Sequence, residues 1–170
     1  MSRPAFTIVP VRDPTDLKDT ISLFYAYAAT LGFDLAFQKF DTEMANMPGK
    51  YSPPNGELLL ARNSDDLAIG CVGLRPLPSP DGDADTQICE MKRLYVTPSG
   101  RGTGVGKALA SRIIAVAAQL GYAEMRLDTL PSMVTALKMY RLFGFEDIPA
   151  YYETRLEGTH FLALKLERRS

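Results

Sequence analysis

The stretch EMKRLYVTPSGRGTGVG, residues 90–106, decides how this chain folds. Residues 90–96 have the alternating, apolar-rich pattern of a β-strand, and Pro98 closes it. Four glycines follow within seven residues, at positions 100, 102, 104 and 106. Beyond them, residues 104–120 place apolar side chains at helical spacing. The stretch therefore predicts a strand, a glycine-rich turn and an amphipathic helix.

The glycine-rich turn has the properties of an anion site. Glycine allows the backbone to adopt positive φ and to approach a ligand closely. The first N–H groups of the following helix have no partner within the helix, and the helix dipole is positive at that end. Such a helix start suits phosphate groups. Arg101 adds a positive charge and a planar fork of donors.

Two better-known phosphate motifs do not fit this turn. A P-loop has the pattern G-x-x-x-x-G-K-[ST]. Gly106 and Lys107 match it, but Arg101 replaces the first glycine and Ala108 replaces the residue that holds magnesium. The dinucleotide fingerprint G-x-G-x-x-G fails as well. A nucleotide-hydrolysing domain is therefore disfavoured.

The rest of the chain predicts the element order β-α-α-β-β-β-α-β-α-β-β. The predicted α/β fold has a central mixed, mostly antiparallel twisted sheet flanked by helices, in one domain spanning residues 1–170. The predicted strands are Phe6–Val11, Glu57–Arg62, Leu67–Leu74, Thr86–Val96, Ala123–Thr129, Phe145–Ile148 and His160–Leu166. The predicted helices are 15–32, 33–47, 104–120 and one capped by Ser132 that ends at Phe143, and Pro76–Asp85 is predicted as a loop. Leu17, Ile21, Phe24, Tyr25, Ala28 and Leu31 form the predicted apolar face of the first helix.

Composition excludes several functional classes. The 170 residues carry 19 basic and 20 acidic side chains, a formal net charge of -1. Without a basic excess, neither nucleic acid nor an anionic membrane is an expected partner. No apolar run approaches the roughly 20 residues that cross a bilayer, and we expect a cytoplasmic location. Cys71 and Cys89 are expected to be reduced core residues, and no metal site is expected.

With these residues in view, the chain resembles the GNAT superfamily of N-acetyltransferases. Arg101, Gly104 and Gly106 match the family's signature [QR]-x-x-G-x-[GA], and Leu94–Pro98 matches its preceding L-x-V-x-P. A second signature, N-x-x-A-x-x-x-Y-x-x-x-G-F, is matched from position 133 by Ala136, Tyr140, Gly144 and Phe145. Met133 stands where the family often has asparagine.

The resemblance implies a GNAT-like domain that uses acetyl-CoA as co-substrate. The pantetheine arm would pair with the backbone of a splayed strand at Leu94, Tyr95 and Val96. The N–H groups of Arg101, Gly102, Thr103, Gly104, Val105 and Gly106 would hold the pyrophosphate, with Lys107 at the edge. Ser132 would partly replace the asparagine that is lost at Met133.

The implied reaction is direct attack of a neutral amine on the acetyl thioester. Tyr140 occupies the family's general-acid position, although an aromatic core residue would look the same. Glu90 is the candidate base, acting through a water, and its alternative role is a structural salt bridge with Lys92 or Arg126. Asp128 is a second acidic candidate. The backbone N–H of Val96 or a near neighbour would hold the oxyanion.

The acceptor is expected to be a primary amine, on a small molecule or on a protein. Phe33 and Phe37 are expected to roof its site, and Tyr151 and Tyr152 to line it. His160 is expected at the surface or an edge. A homodimer is possible on this sequence, and a non-catalytic module that senses acyl-CoA remains the alternative to an enzyme.

Overall fold

The computed structural model describes residues 5–31, 38–78, 87–154 and 157–167. Within them, seven strands and four α-helices follow one another along the chain. They are β1 (Phe6–Pro10), α1 (Pro14–Thr30), α2 (Gln38–Ala45), β2 (Glu57–Asn63), β3 (Ala68–Leu77), β4 (Ile88–Val96), α3 (Val105–Gln119), β5 (Glu124–Thr129), α4 (Val134–Phe143), β6 (Glu146–Asp147) and β7 (His160–Lys165).

All seven strands belong to a single sheet with the order β1-β2-β3-β4-β5-β7-β6. Strands β4 and β5, joined through α3, are parallel, and every other neighbouring pair is antiparallel. The predicted mixed, mostly antiparallel sheet is confirmed. The parallel pair lies in the middle of the sheet, where the glycine-rich turn leaves β4.

The helices bury both faces of this sheet. On one face, α3 contributes Leu109 and Ile113 to the larger apolar core, together with side chains from β2, β3, β4, β5 and β7. On the other face, α1 and α2 contribute Phe24 and Phe40 to a second core. Cys71 and Cys89 are free thiols and fully buried, as predicted.

Local signals set most of the helix boundaries. The Asp13 side chain accepts a hydrogen bond from the Asp16 N–H at 2.7 Å, and Pro14 occupies the first turn of α1. Gly144 ends α4 with a φ of 105°, a conformation that glycine adopts without strain.

Three sequence predictions need correction. Tyr25 is not on the buried face of α1, since 47% of its surface is exposed. Strand β3 continues to Leu77, because Pro76 pairs with Cys89 on β4 where a loop was predicted. Ser132 does not cap α4: Met133 occupies the cap position, and no side-chain hydrogen bond is made there. The described part of the second helix is Gln38–Ala45, and its predicted start at residue 33 lies outside the described residues.

Several predictions fall outside the described residues. These are the roof formed by Phe33 and Phe37, most of the loop over 76–85, and the start of the third central strand at Thr86. Within the described parts of the chain, no helix has the length and apolar character needed to cross a bilayer.

Candidate functional site

The parallel strands β4 and β5 separate half-way along β4. They pair only through Ile88–Glu90 on β4 and Glu124–Arg126 on β5. Beyond this point a cavity of about 220 Å³ opens, lined by residues 91–94 of β4 and residues 127–130 on the β5 side. The backbone of β4 is therefore unpaired toward β5 along the stretch where the sequence predicted a splayed strand.

A local irregularity in β4 accompanies this opening. Arg93 has a φ of 61°, and the β3–β4 register shifts between Cys71 and Gly73. The strained conformation is held by contacts of the Arg93 guanidinium, which donates to Glu43 at 2.8 Å and lies 4.8 Å from the centre of the Phe40 ring. Helix α2 thus fixes the shape of the strand that borders the cavity.

The glycine-rich turn leads from β4 into α3. Gly102 and Gly104 have φ values of 81° and 87°, and Gly104 is the N-terminal cap of α3. Residues 101–104 form a turn, and no short, well-aligned hydrogen bond within the described residues uses the backbone N–H groups of residues 102–107. Six consecutive donors at the positive end of a helix form an anion site.

The side chains of this turn differ in their contacts and in their exposure. The Arg101 Nε donates to the Val96 carbonyl at 3.3 Å, and the Thr103 hydroxyl donates to the Gly100 carbonyl at 2.5 Å. Val105 is buried in the larger core, so it offers only its backbone to the outside. Lys107 is exposed beside the turn.

Tyr140 lines the cavity from α4. Its ring is buried and packs edge-on against Phe145, with the ring centres 5.7 Å apart. Its hydroxyl has no hydrogen-bond partner among the described residues. Burial raises the pKa of Tyr140, and the negative charge of Asp128 adds to this effect. The hydroxyl is therefore protonated near neutral pH and is available to a ligand as a donor.

Asp128, at the end of β5, is the carboxylate that lines the cavity. It accepts a hydrogen bond from the Tyr152 hydroxyl at 2.5 Å, and the Lys92 Nζ lies 3.5 Å from its other oxygen. Burial acts to raise the pKa of Asp128, but the charge of Lys92 and these hydrogen bonds outweigh it and lower that pKa. Asp128 is therefore ionised near neutral pH.

Glu90 lies outside the cavity lining. Its side chain is 2% exposed, pairs with Arg75 at 2.8 Å and accepts a hydrogen bond from Tyr151 at 2.6 Å. The expected salt-bridge partners were wrong, because Lys92 pairs with Asp128 and Arg126 pairs with Glu124. The structure thus brings Tyr140 and Asp128 to one cavity and places Glu90 behind its wall.

Met133 lies at the cavity end of α4. Its sulfur accepts weak hydrogen bonds from the hydroxyls of Thr129 at 3.6 Å and Tyr27 at 4.0 Å. Ser132 is exposed in the turn before it. The thioether therefore links β5, α1 and α4 at the one position where the second signature quoted above is not matched.

The geometry agrees with comparisons to known proteins. The family model described as "Acetyltransferase (GNAT) family" matches residues 23–145. The chain belongs to the GNAT family of acetyltransferases. An uncharacterised N-acetyltransferase of Schizosaccharomyces pombe is 38% identical over 169 residues, which cover 99% of this chain and 100% of that protein.

Solved GNAT structures share the fold. A GNAT acetyltransferase from Staphylococcus aureus has a TM-score of 0.76 at 17% identity, covering 96% of this chain and 100% of the other. A GNAT acetyltransferase from Elizabethkingia anophelis, solved with acetyl-CoA bound, has a TM-score of 0.59 at 21% identity, covering 96% and 100%. At these identities the likeness shows the fold alone.

The sequence did not reveal several residues in and beside this cavity. Tyr27 was absent from the predicted apolar face of α1, yet it lines the cavity and burial raises its pKa to about 12. Arg75 carried no sequence signal for its pairing with Glu90. Tyr151 and Tyr152 were predicted to line the acceptor site, but nothing in the sequence showed that each hydroxyl donates to a different carboxylate.

Proposed function

We propose that this chain transfers an acetyl group from acetyl-CoA to a primary amine by direct attack in a ternary complex. The proposal rests on one observation: three features of the site adjoin one another in the structure. The N–H groups of residues 102–107 adjoin the unpaired edge of β4, and that edge leads to the hydroxyl of Tyr140, which has no hydrogen-bond partner in the described part of the chain. A pyrophosphate, an extended amide-bearing arm and a thioester match these features in this order.

The binding role of the strand follows from its hydrogen-bond direction. Leu94, Tyr95 and Val96 are the proposed partners of the pantetheine arm. The Thr97 N–H donates to the Ile69 carbonyl on β3. Because successive strand N–H groups point to opposite edges, the Val96 N–H points away from β3, toward the opening. This N–H is our proposed donor to the oxyanion.

The chemistry requires one proton to leave the amine and one to reach the thiolate. The amine nitrogen forms a bond to the thioester carbon, and the carbon–sulfur bond then breaks. Tyr140 is the proposed donor to the departing thiolate, and the amine proton passes to water. Asp128 has a lowered pKa and is therefore a weak base, so its proposed role is to orient the amine and that water.

Turnover is tested by the release of free thiol from acetyl-CoA in the presence of a panel of amines. Amine-dependent release with formation of the matching acetylamide is expected. Binding of acetyl-CoA without release for any amine would favour the alternative, a non-catalytic acyl-CoA sensor. Tight binding of ATP–magnesium in preference to acetyl-CoA would contradict both.

A pair of substitutions separates the roles of the two carboxylates. Asp128→Asn is expected to lower kcat/KM by about tenfold to 100-fold, because the amine loses its acceptor in the cavity. Glu90→Gln is expected mainly to lower the free energy of unfolding, by about 2 kcal/mol, because it leaves Arg75 poorly paired. Steady-state kinetics and urea unfolding measure the two effects.

Asp147→Asn is the matched control for these variants, since Asp147 forms an exposed pair with Arg141. It should change neither property appreciably. If Glu90→Gln abolished turnover in a protein of normal stability, Glu90 rather than Asp128 would be the reacting carboxylate.

The pH profile tests the acid. We expect kcat/KM to rise with pH as the acceptor amine loses its proton, and not to fall before about pH 10. The reason is that the pKa of Tyr140 is raised above its ordinary value of 10.0, so the proton needed by the thiolate is retained. Thiol release, corrected for spontaneous hydrolysis, measures this profile. A decline centred near pH 8 would contradict the role given to Tyr140.

A further inference from the structure

We infer that the acceptor carries a carboxylate next to its amine, as an α-amino acid does, and that Lys92 binds this carboxylate. The inference rests on the proposed function and names the substrate class of the same cavity. It follows from how the cations beside the cavity are paired.

The arginines near the cavity have short, well-formed partners. Arg93 donates to Glu43 at 2.8 Å, Arg75 pairs with Glu90 at 2.8 Å, and Arg126 pairs with Glu124 at 2.5 Å. These guanidinium groups are therefore committed to protein carboxylates. Of the three, only Arg93 lines the cavity. Its Nε has no hydrogen-bond partner among the described residues, but its other end is held by Glu43, and drawing it toward a ligand would disturb that largely buried pair.

Of the two described cations that line the cavity, Lys92 has a weaker ion pair than Arg93. Its ammonium has three N–H donors, and its single contact is the Asp128 oxygen at 3.5 Å, the outer limit of a hydrogen bond. The side chain is only 16% exposed. A sequestered ammonium with one long contact is poorly compensated, so an anion in the cavity would complete its pairing.

The neighbourhood of Lys92 limits what that anion can be. Asp128 lies next to it and is ionised, so a dianion such as a phosphate would meet repulsion. A carboxylate with an adjacent amine fits better, because the amine can approach Asp128 while the carboxylate approaches Lys92. In an α-amino acid only two bonds separate the amine nitrogen from the carboxylate carbon, which suits two charges 3.5 Å apart.

This arrangement also aligns the reacting group. Asp128 and Tyr140 line the same cavity, and Asp128 is close enough to affect the pKa of Tyr140. An amine held at Asp128 is therefore presented to the place where the thioester is expected. Lys92 is a positioning residue in this scheme, since it holds the acceptor and not the reacting atoms.

The test compares matched acceptors in the thiol-release assay. Free amino acids are measured against their C-terminal amides and against the amines that lack the carboxyl group, with the side chain held constant. The expected kcat/KM is at least about tenfold higher for the carboxylate-bearing member, as one charge-assisted contact implies. The difference should lie mainly in KM for the acceptor.

Variants of Lys92 identify the source of the preference. Lys92→Gln should remove the preference for the carboxylate over the amide, whereas Lys92→Arg should restore much of it. Lys18→Gln, at an exposed position of α1, is the control and should keep the preference. Calorimetric binding of N-acetylated amino acids to the complex with coenzyme A, against their amides, gives a readout that does not depend on turnover.

The outcomes separate this inference from the proposed function. If amides and simple amines are acetylated as well as the free amino acids, the inference is overturned and the proposed function stands. A preference that survives in Lys92→Gln would also overturn it. If no amine is acetylated and acetyl-CoA still binds, the proposed function fails, and the inference fails with it.

Discussion

Replacing Tyr140 with phenylalanine is expected to lower kcat by about 100-fold or more. The hydroxyl has no protein partner among the described residues and faces the cavity, so its removal deletes a donor to the leaving thiolate. The ring packing against Phe145 remains, and we therefore expect the free energy of unfolding to stay within about 1 kcal/mol of the parent. Single-turnover thiol release measures the chemical step directly.

The matched control is Tyr25→Phe, which removes the hydroxyl of an exposed tyrosine on α1. It should leave kcat unchanged. If Tyr140→Phe also leaves kcat unchanged, the hydroxyl is not the acid, and water must protonate the thiolate instead.

Gly104→Val is expected to weaken acetyl-CoA binding by about tenfold to 100-fold. Gly104 has a φ of 87°, and a residue with a side chain pays roughly 1–2 kcal/mol to adopt the left-handed region, more when it is β-branched. If the backbone changed conformation to relieve that strain, the N–H groups of residues 102–107 would no longer point toward one anion site. The new side chain would also project into open space, on the face where we propose that the pyrophosphate binds. Calorimetric titration with acetyl-CoA measures the loss.

The far end of the same helix supplies the control. Gly121 has a φ of 91°, and a Cβ there would also meet nothing within 4 Å. Gly121→Val should therefore lower the stability by a similar amount and leave acetyl-CoA binding intact. Equal loss of binding in both variants would mean that general destabilisation, not the turn, explains the effect.

The turn was predictable because its chemistry is local. A few consecutive residues determine the positive φ at Gly102 and Gly104 and the unpaired N–H groups at the helix start. The amino-acid sequence alone is therefore enough to predict these features. The same holds for α4, where the glycine that ends the helix is visible in the sequence. The order of strands followed from the alternation and from the turn signals.

The charge pairs were not predictable, because they depend on register across strands. Arg75 faces Glu90 since the two are paired positions of β3 and β4, and that register includes the irregularity near Arg93. A shift of one residue would have turned the side chain of Arg75 to the other face of the sheet. Periodicity along one strand cannot fix this register.

Tyr25 and Tyr27 illustrate a second limit. They lie two positions apart on α1, at the margins of its apolar face, and the helical period alone does not decide which of them is buried. The decision comes from tertiary contacts, because Tyr27 packs edge-on against Tyr95 of β4, with ring centres 6.1 Å apart. Tyr25 packs against Phe40 and stays largely exposed.

The separation of β4 from β5 changes where this protein should open most readily. In most sheets the edge strands exchange their amide hydrogens first, and the centre exchanges last. Here the N–H groups that point from β4 toward β5 beyond Glu90 lie in the middle of the sheet without a neighbouring strand. We therefore expect fast hydrogen exchange at these central positions, surrounded by slowly exchanging ones. A ligand that pairs with them would slow this exchange and raise the melting temperature by mass action, so the occupancy of the cavity and the lifetime of the folded chain are linked.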